Sequence, residues 1–198
     1  MRTLIPAIAL ALVIAAPANS QSTAGSEGGA LLAKQAAPAR QNNRLTVRST
    51  SFIGGGAIPE RHAKKGENVS PPLGWTKGPQ GTRSYAVIAE DTGSNRDQPI
   101  LHWMVYDLDG SVTQIGSDMA KTASPGSGAS QAKNSEGAVG YSGPKTGEGQ
   151  SGLYHFQVFA LNAKLNIDPA SADRNTILSA MKGKVLASGD LIGRYAGN

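Results

Sequence analysis

Three apolar runs of strand length set the limits on what this chain can fold into. Tyr85-Ala86-Val87-Ile88-Ala89 is bounded by Arg83-Ser84 and Glu90-Asp91. Residues 100–108 form the second run, closed by the turn pair Asp109-Gly110, and residues 153–161 form the third. The first run carries no charged residue on either parity, which fits a strand covered on both faces. In the third, Tyr154, Phe156, Val158 and Ala160 fall on one face and His155, Gln157, Phe159 and Leu161 on the other. One segment reads as a good helix, residues 174–182, with Ile177, Leu178 and Met181 on one side and Gly183 as its stop. Asp168-Pro169 marks a turn or a helix entry before it. Many short strands with one late helix predict an all-β chain with minor helices, arranged as an antiparallel β-sandwich.

The remaining segments divide the chain. Leu45, Val47 and Phe52 alternate with polar residues and predict a strand, broken by Gly54-Gly55-Gly56 and Pro59. The motif Asn68-Val69-Ser70-Pro71-Pro72-Leu73-Gly74-Trp75 is not helical, because two successive prolines remove two amide donors and hold Ser70 extended. Residues 117–140 are rich in Gly, Ser and Ala and predict a long surface loop. Residues 21–43 are poor in large apolar side chains and read as a flexible linker, with at most a transient helix over residues 30–37. Residues 1–20 combine a positive start, an apolar run from Ile5 to Ala16 and the small residues Ala18-Asn19-Ser20, which predicts a signal peptide cut after Ser20. That run falls short of the ~20 residues a membrane span requires, so no stable span is expected. Residues 44–198 form the domain, and its expected location is periplasmic or secreted.

Composition then excludes several function classes. The chain has 198 residues and no cysteine, so thiol catalysis and thiolate metal sites are ruled out and the apolar core alone must hold the fold. Lys and Arg number 19 against 14 Asp and Glu, a net charge of +5 that falls to +4 when Arg2 leaves with the signal. These charges are interspersed, which argues against a nucleic-acid partner. His62, His102 and His155 show no ligand spacing, so no metal and no cofactor are expected.

Four places could carry chemistry. Asp91 ends the first run just before Thr92-Gly93. It reads as a carboxylate facing a pocket or as an acid satisfying its own loop amides, and spacing alone favours the second. His102 starts the second run. It is either a donor to an anion or a core-edge histidine, and a neighbouring carboxylate would favour the imidazolium. Gly140-Tyr141-Ser142-Gly143-Pro144 is a tight turn whose amides and Ser142 hydroxyl could cradle oxyanions, or an ordinary Gly-Pro loop. Tyr154 offers a phenol to the same anion, or packs in the core.

Taken in order, these segments resemble the phosphatidylethanolamine-binding protein family, and within it the bacterial Raf-kinase-inhibitor-like (YbhB/YbcL-type) branch. The likeness runs through Ile58-Pro59, the Asn68 to Trp75 motif, Ser84 to Asp91, His102-Trp103-Met104-Val105-Tyr106, Asn134-Ser135 with Gly137, the 140–144 turn, Tyr154 to Asn162, and residues 183–195. It covers nearly all of residues 50–195. The resemblance implies a β-sandwich of that family's type with a conical anion site at one end. It implies ligands such as phosphorylated head groups or acetate-like anions, modulation of kinases or serine proteases in some members, and no established catalysis. It also implies a cis Xaa-Pro bond near Pro71-Pro72. Two pocket groups of the family are replaced: its second acid falls on Gly93 and its second histidine on Gly152, with Leu153 at the family's arginine and Tyr154 at its tyrosine. The proline after the Gly-Pro loop falls on Lys145. Each lost hydrogen bond to a charged ligand is worth about 1.5–3 kcal/mol.

The expected function is an exported, non-enzymatic binding protein for a small anion or phosphorylated head group, held by Asp91, His102, Ser142, Gly143, Pro144 and Tyr154. The alternatives are a protein-interaction module, such as an inhibitor of a serine protease or kinase, and a weak hydrolase. The hydrolase stands last, because no Gly-x-Ser-x-Gly elbow accompanies the acid and the histidine.

Overall fold

The computed structural model describes residues 31–40, 43–92 and 98–197. The expected signal peptide and Gly93 lie outside the described residues. In chain order the elements are α1 (Ala33–Ala36), β1 (Val47–Arg48), a 3-10 turn (Glu60–His62), β2 (Leu73–Trp75), β3 (Ser84–Asp91), β4 (Ile100–Asp109), β5 (Gln114–Ile115), β6 (Ser130–Gln131), β7 (Ser151–Leu161), α2 (Arg174–Met181) and β8 (Val185–Ala196).

Five strands form one antiparallel sheet in the order β6-β4-β3-β7-β8, and β1-β2-β5 form a smaller one. The three apolar runs are the central strands of the large sheet. All eight residues of β3 are buried, because both faces of that sheet are covered. One face packs Val87, Trp103, Val105, Phe156 and Val158 with Leu73, Trp75 and Ile115 from the small sheet. The other packs Ile88, Met104, Phe159 and Leu161 with Ile177, Leu178 and Met181 of α2. A strand with two apolar neighbours has no polar face to alternate, which is why β3 reads as a continuous run. Asp173 caps α2 by accepting from the Thr176 amide at 2.7 Å, and Gly183 leaves the helix end with φ +72°. The Asp168-Pro169 segment is a turn, not a helix entry.

Three expectations change. The strand foreseen over Leu45 to Phe52 is reduced to the two residues of β1. Every peptide bond among the described residues is trans, so the cis proline bond implied near Pro71-Pro72 is absent. Finally, the described part of the expected linker, residues 31–40, lies against the domain: Leu32, Ala33 and Ala37 are buried.

Candidate functional site

Strand register builds the site. Asp91 closes β3 between Ile100 of β4 and Tyr154 of β7. Ala89 faces Trp103 and Glu90 faces Leu101, so His102 is the extra residue of a β-bulge. A bulge re-aims the side chain it carries. Leu101 and Met104 accordingly belong to the helix-side core and Trp103 to the other, while His102 swings onto the Asp91 side. Its Nε2 lies 2.9 Å from Asp91 Oδ2 and its Nδ1 lies 2.8 Å from the Ser142 carbonyl oxygen. The Ser142 carbonyl oxygen only accepts, so Nδ1 is the donor in that contact. Tyr154 stands edge-on to the imidazole with ring centroids 5.1 Å apart. Asp91, His102 and Tyr154 are thus brought to one place, all three nearly buried.

A cleft of about 650 Å³ opens beside them, lined by Asp91, Ile100, Lys145, Thr146, Gly152 and Tyr154 among others. Asp91 Oδ1 and Thr146 Oγ1 are buried there without a hydrogen-bond partner among the described residues. Burial, reinforced by the Asp91 charge and opposed by a hydrogen bond with the Lys145 backbone, pushes the Tyr154 phenol up to about 12, so it is a donor at neutral pH. Gly152, two residues back on the same face, leaves room for that phenol: a Cβ there would stand 3.1 Å from the ring edge and 3.2 Å from the hydroxyl. Any larger side chain at position 152 would press on the Tyr154 ring.

The 140–144 turn does something other than expected. The Ser142 amide donates to the His102 carbonyl oxygen at 2.9 Å, and the Gly143 amide donates to Asn68 Oδ1 at 2.7 Å. Lys64 N donates to the Pro144 carbonyl oxygen at 2.9 Å. The Ser142 hydroxyl donates to Glu136 at 2.9 Å, and Lys64 pairs with the same carboxylate. The Lys64 and Ser142 hydrogen bonds hold the Glu136 carboxyl below its ordinary value. Ser142, Gly143 and Pro144 are buried, and the amides of Ser142 and Gly143 are committed inside the protein. The anion cradle expected from Ser142, Gly143 and Pro144 is therefore not formed; the turn instead clamps His102. Gly143 is forced by this packing, since a Cβ would fall 2.1 Å from the His62 carbonyl oxygen. Lys64, Glu136 and Thr146 were not singled out from sequence, and Asn68 was read only as the first residue of the Asn68 to Trp75 motif. Asn68 is 75 residues from its partner in the chain, and no local pattern announces such a contact.

Comparison with known proteins agrees with this fold. Residues 48–196 match the model of the phosphatidylethanolamine-binding protein family. A "UPF0098 protein" of Aquifex aeolicus is 36% identical over 155 residues, covering 76% of this chain and 88% of its own length. A crystal structure of a phosphatidylethanolamine-binding protein homologue from Chlamydia trachomatis superposes with a TM-score of 0.69 at 27% identity, covering 79% of this chain and all of that one. YbcL of E. coli, described as a new member of the mammalian PEBP family, gives 0.71 at 25% identity, covering 78% of this chain and 99% of that one.

Proposed function

This chain belongs to the phosphatidylethanolamine-binding protein family, in its bacterial branch, and on that premise we propose that it is an exported, non-enzymatic binding protein whose cleft takes a small oxyanion that carries a proton of its own, such as a phosphomonoester monoanion. The observation that carries this reading is the bare Asp91 Oδ1, buried at the cleft wall and in need of a donor. Tyr154, Thr146 and Lys145 supply donors and positive charge around it. A fully deprotonated ligand would meet those donors but would face Asp91 with two negative charges and no bridging proton. Non-catalytic binding is supported by the partners of His102 and Ser142. Both ring nitrogens are engaged, and the serine hydroxyl is given to Glu136, so the two do not form a nucleophile–base pair. Export rests on residues 1–20 of the sequence.

Calorimetric titration with phosphoethanolamine and with acetate tests the reading. The unaltered chain gives saturable heat with phosphoethanolamine, and Asp91→Ala and His102→Ala each weaken it tenfold or more. Equal heats for all three chains sink the proposal. A second reading, an inhibitor-type interaction module, is favoured by Ile53, 79% exposed at the start of the 53–56 turn. Replacing Ile53 by Asp would then abolish capture of an envelope protease while leaving ligand heats unchanged.

A further inference from the structure

The face of the large sheet opposite the cleft holds a set of buried polar side chains that the binding site does not use. Glu90 and Gln157 have no exposure at all. They meet residues 31–37 as a receptor meets a peptide. Ala33 N donates to Glu90 Oε2 at 2.8 Å and Lys34 N donates to Gln157 Oε1 at 2.9 Å. Arg174 Nη2 donates to the Leu31 carbonyl oxygen at 2.6 Å. The Lys34 ammonium reaches Asp190 Oδ2 at 2.5 Å. Ala33 and Ala37, fully covered, join the cluster of Ile88, Phe159 and Ile177.

Side chains, not strand backbone, meet these main-chain groups of the segment. Each acidic acceptor also keeps a partner of its own. Glu90 accepts from Arg174 Nε at 2.6 Å and from Gln157 Nε2 at 2.9 Å, and Asp190 accepts from His155 Nδ1 at 2.8 Å. Departure of the segment would therefore leave neither carboxylate without a donor, and the receptor stays organised when empty. Asp190 Oδ1 remains buried and unpartnered even with the segment in place.

We propose that this face is a second recognition site, for a short peptide whose helical turn presents a small side chain, then lysine, then a second small side chain three residues further on, and that residues 31–37 are its intramolecular occupant. Ala33 sets the first requirement, because it sits where no exposed volume remains. Asp190 sets the second, and Ala37 the third. The occupant is exchangeable for a segment of the same chemistry on another polypeptide, and the site works independently of the Asp91 cleft.

The test uses the full chain carrying Ala33→Asp with Lys34→Glu, which places negative charge against Glu90 and Asp190 and undocks the segment. A fluorescein-labelled peptide of residues 29–40 is titrated by anisotropy. The undocked chain binds it saturably, and the unaltered chain, its site already filled, binds at least tenfold more weakly. Adding Asp190→Asn to the undocked chain weakens binding tenfold or more, and adding His102→Ala leaves it unchanged, which separates this site from the cleft. Absence of binding by an undocked chain that keeps its thermal transition overturns the proposal, as does equal binding of a peptide bearing Lys34→Glu. Should the undocked chain fail to fold, hydrogen exchange decides. In Asp190→Asn, the Ala33 and Lys34 amides exchange at least tenfold faster than in the unaltered chain while the Val87 and Val158 amides do not change; unaltered rates at Ala33 and Lys34 overturn it.

Discussion

At the scale of single residues, the pair Asp91–His102 is both the site's chemistry and a structural liability. Both side chains are about nine-tenths covered and 2.9 Å apart. Removing one partner strands a buried carboxylate, which typically costs 3–5 kcal/mol. His102→Ala is therefore expected to lose about 3 kcal/mol in urea unfolding, and Asp91→Ala added to it should recover part of that loss, a coupling that a double-mutant cycle reads directly. Gly152 gives a second residue-scale expectation. A methyl at 152 gains strand propensity of roughly 0.5–1 kcal/mol over glycine. It also presses on the Tyr154 ring at 3.1 Å, and that ring is itself held edge-on against His102. The ring backs onto His102 and can yield only into the cleft, so overpacking of about 1–3 kcal/mol is expected to outweigh that gain. Gly152→Ala is expected to be destabilised by about 1 kcal/mol and to bind phosphoethanolamine more weakly.

Elements show what could be read from sequence and what could not. The strands β3, β4 and β7 were legible because long apolar runs need no partner to be recognised, and α2 because its apolar side, cap and stop are local. β5 and β6 were not, since two-residue strands exist only through their pairing, and β1 was foreseen only as part of a longer strand. Residues 31–40 escaped because Ala33 and Ala37 look like linker alanines until Glu90 and Gln157 are beside them. At the site, Asp91, His102 and Tyr154 were singled out by residue type and strand position, and the family resemblance grouped them into one pocket. Strict alternation along β4 would have aimed His102 at the helix side, and only the bulge corrects that. The 140–144 turn was visible, yet its role was misread, because a sequence does not reveal whether an amide is already taken. That turn supplies an element-scale prediction. Gly143→Ala would drive a Cβ to 2.1 Å from backbone at His62, which cannot rotate away. The turn must detach, freeing the Ser142 carbonyl from His102. Stability is expected to fall by about 3 kcal/mol, with ligand heat lost, whereas Asp173→Ala at the start of α2 removes only the cap, about 1 kcal/mol, and leaves binding intact.

For the molecule as a whole, the absence of disulfides leaves stability to the core and to its buried ionisable groups, and these make it pH-dependent in two separate windows. His62 is fully buried, with Nδ1 facing the Val69 carbonyl oxygen at 2.8 Å and Nε2 unpartnered. Burial lowers its folded value below 6.5, against the hydrogen bond to Val69, which pulls the other way. Above the unfolded value neither state carries the proton and the histidine is neutral in the balance. As pH falls below 6.5 the unfolded chain gains a proton that the folded chain refuses, so stability declines, by up to about 1.4 kcal/mol for each pH unit until the folded value is reached. Asp190 acts lower. Burial raises its carboxyl, but hydrogen bonds from His155 and Lys34 outweigh this and hold it below 3.8. Its contribution is present above the unfolded value and disappears as pH falls through the folded one. Urea unfolding between pH 8 and pH 5 should therefore show a falling midpoint below about pH 6.5. His62→Asn, which keeps a donor for Val69 but cannot take a proton, should flatten that slope; a slope unchanged in His62→Asn would assign the loss to other groups. The expected consequence is a fold at full strength in neutral surroundings and progressively weaker in acid.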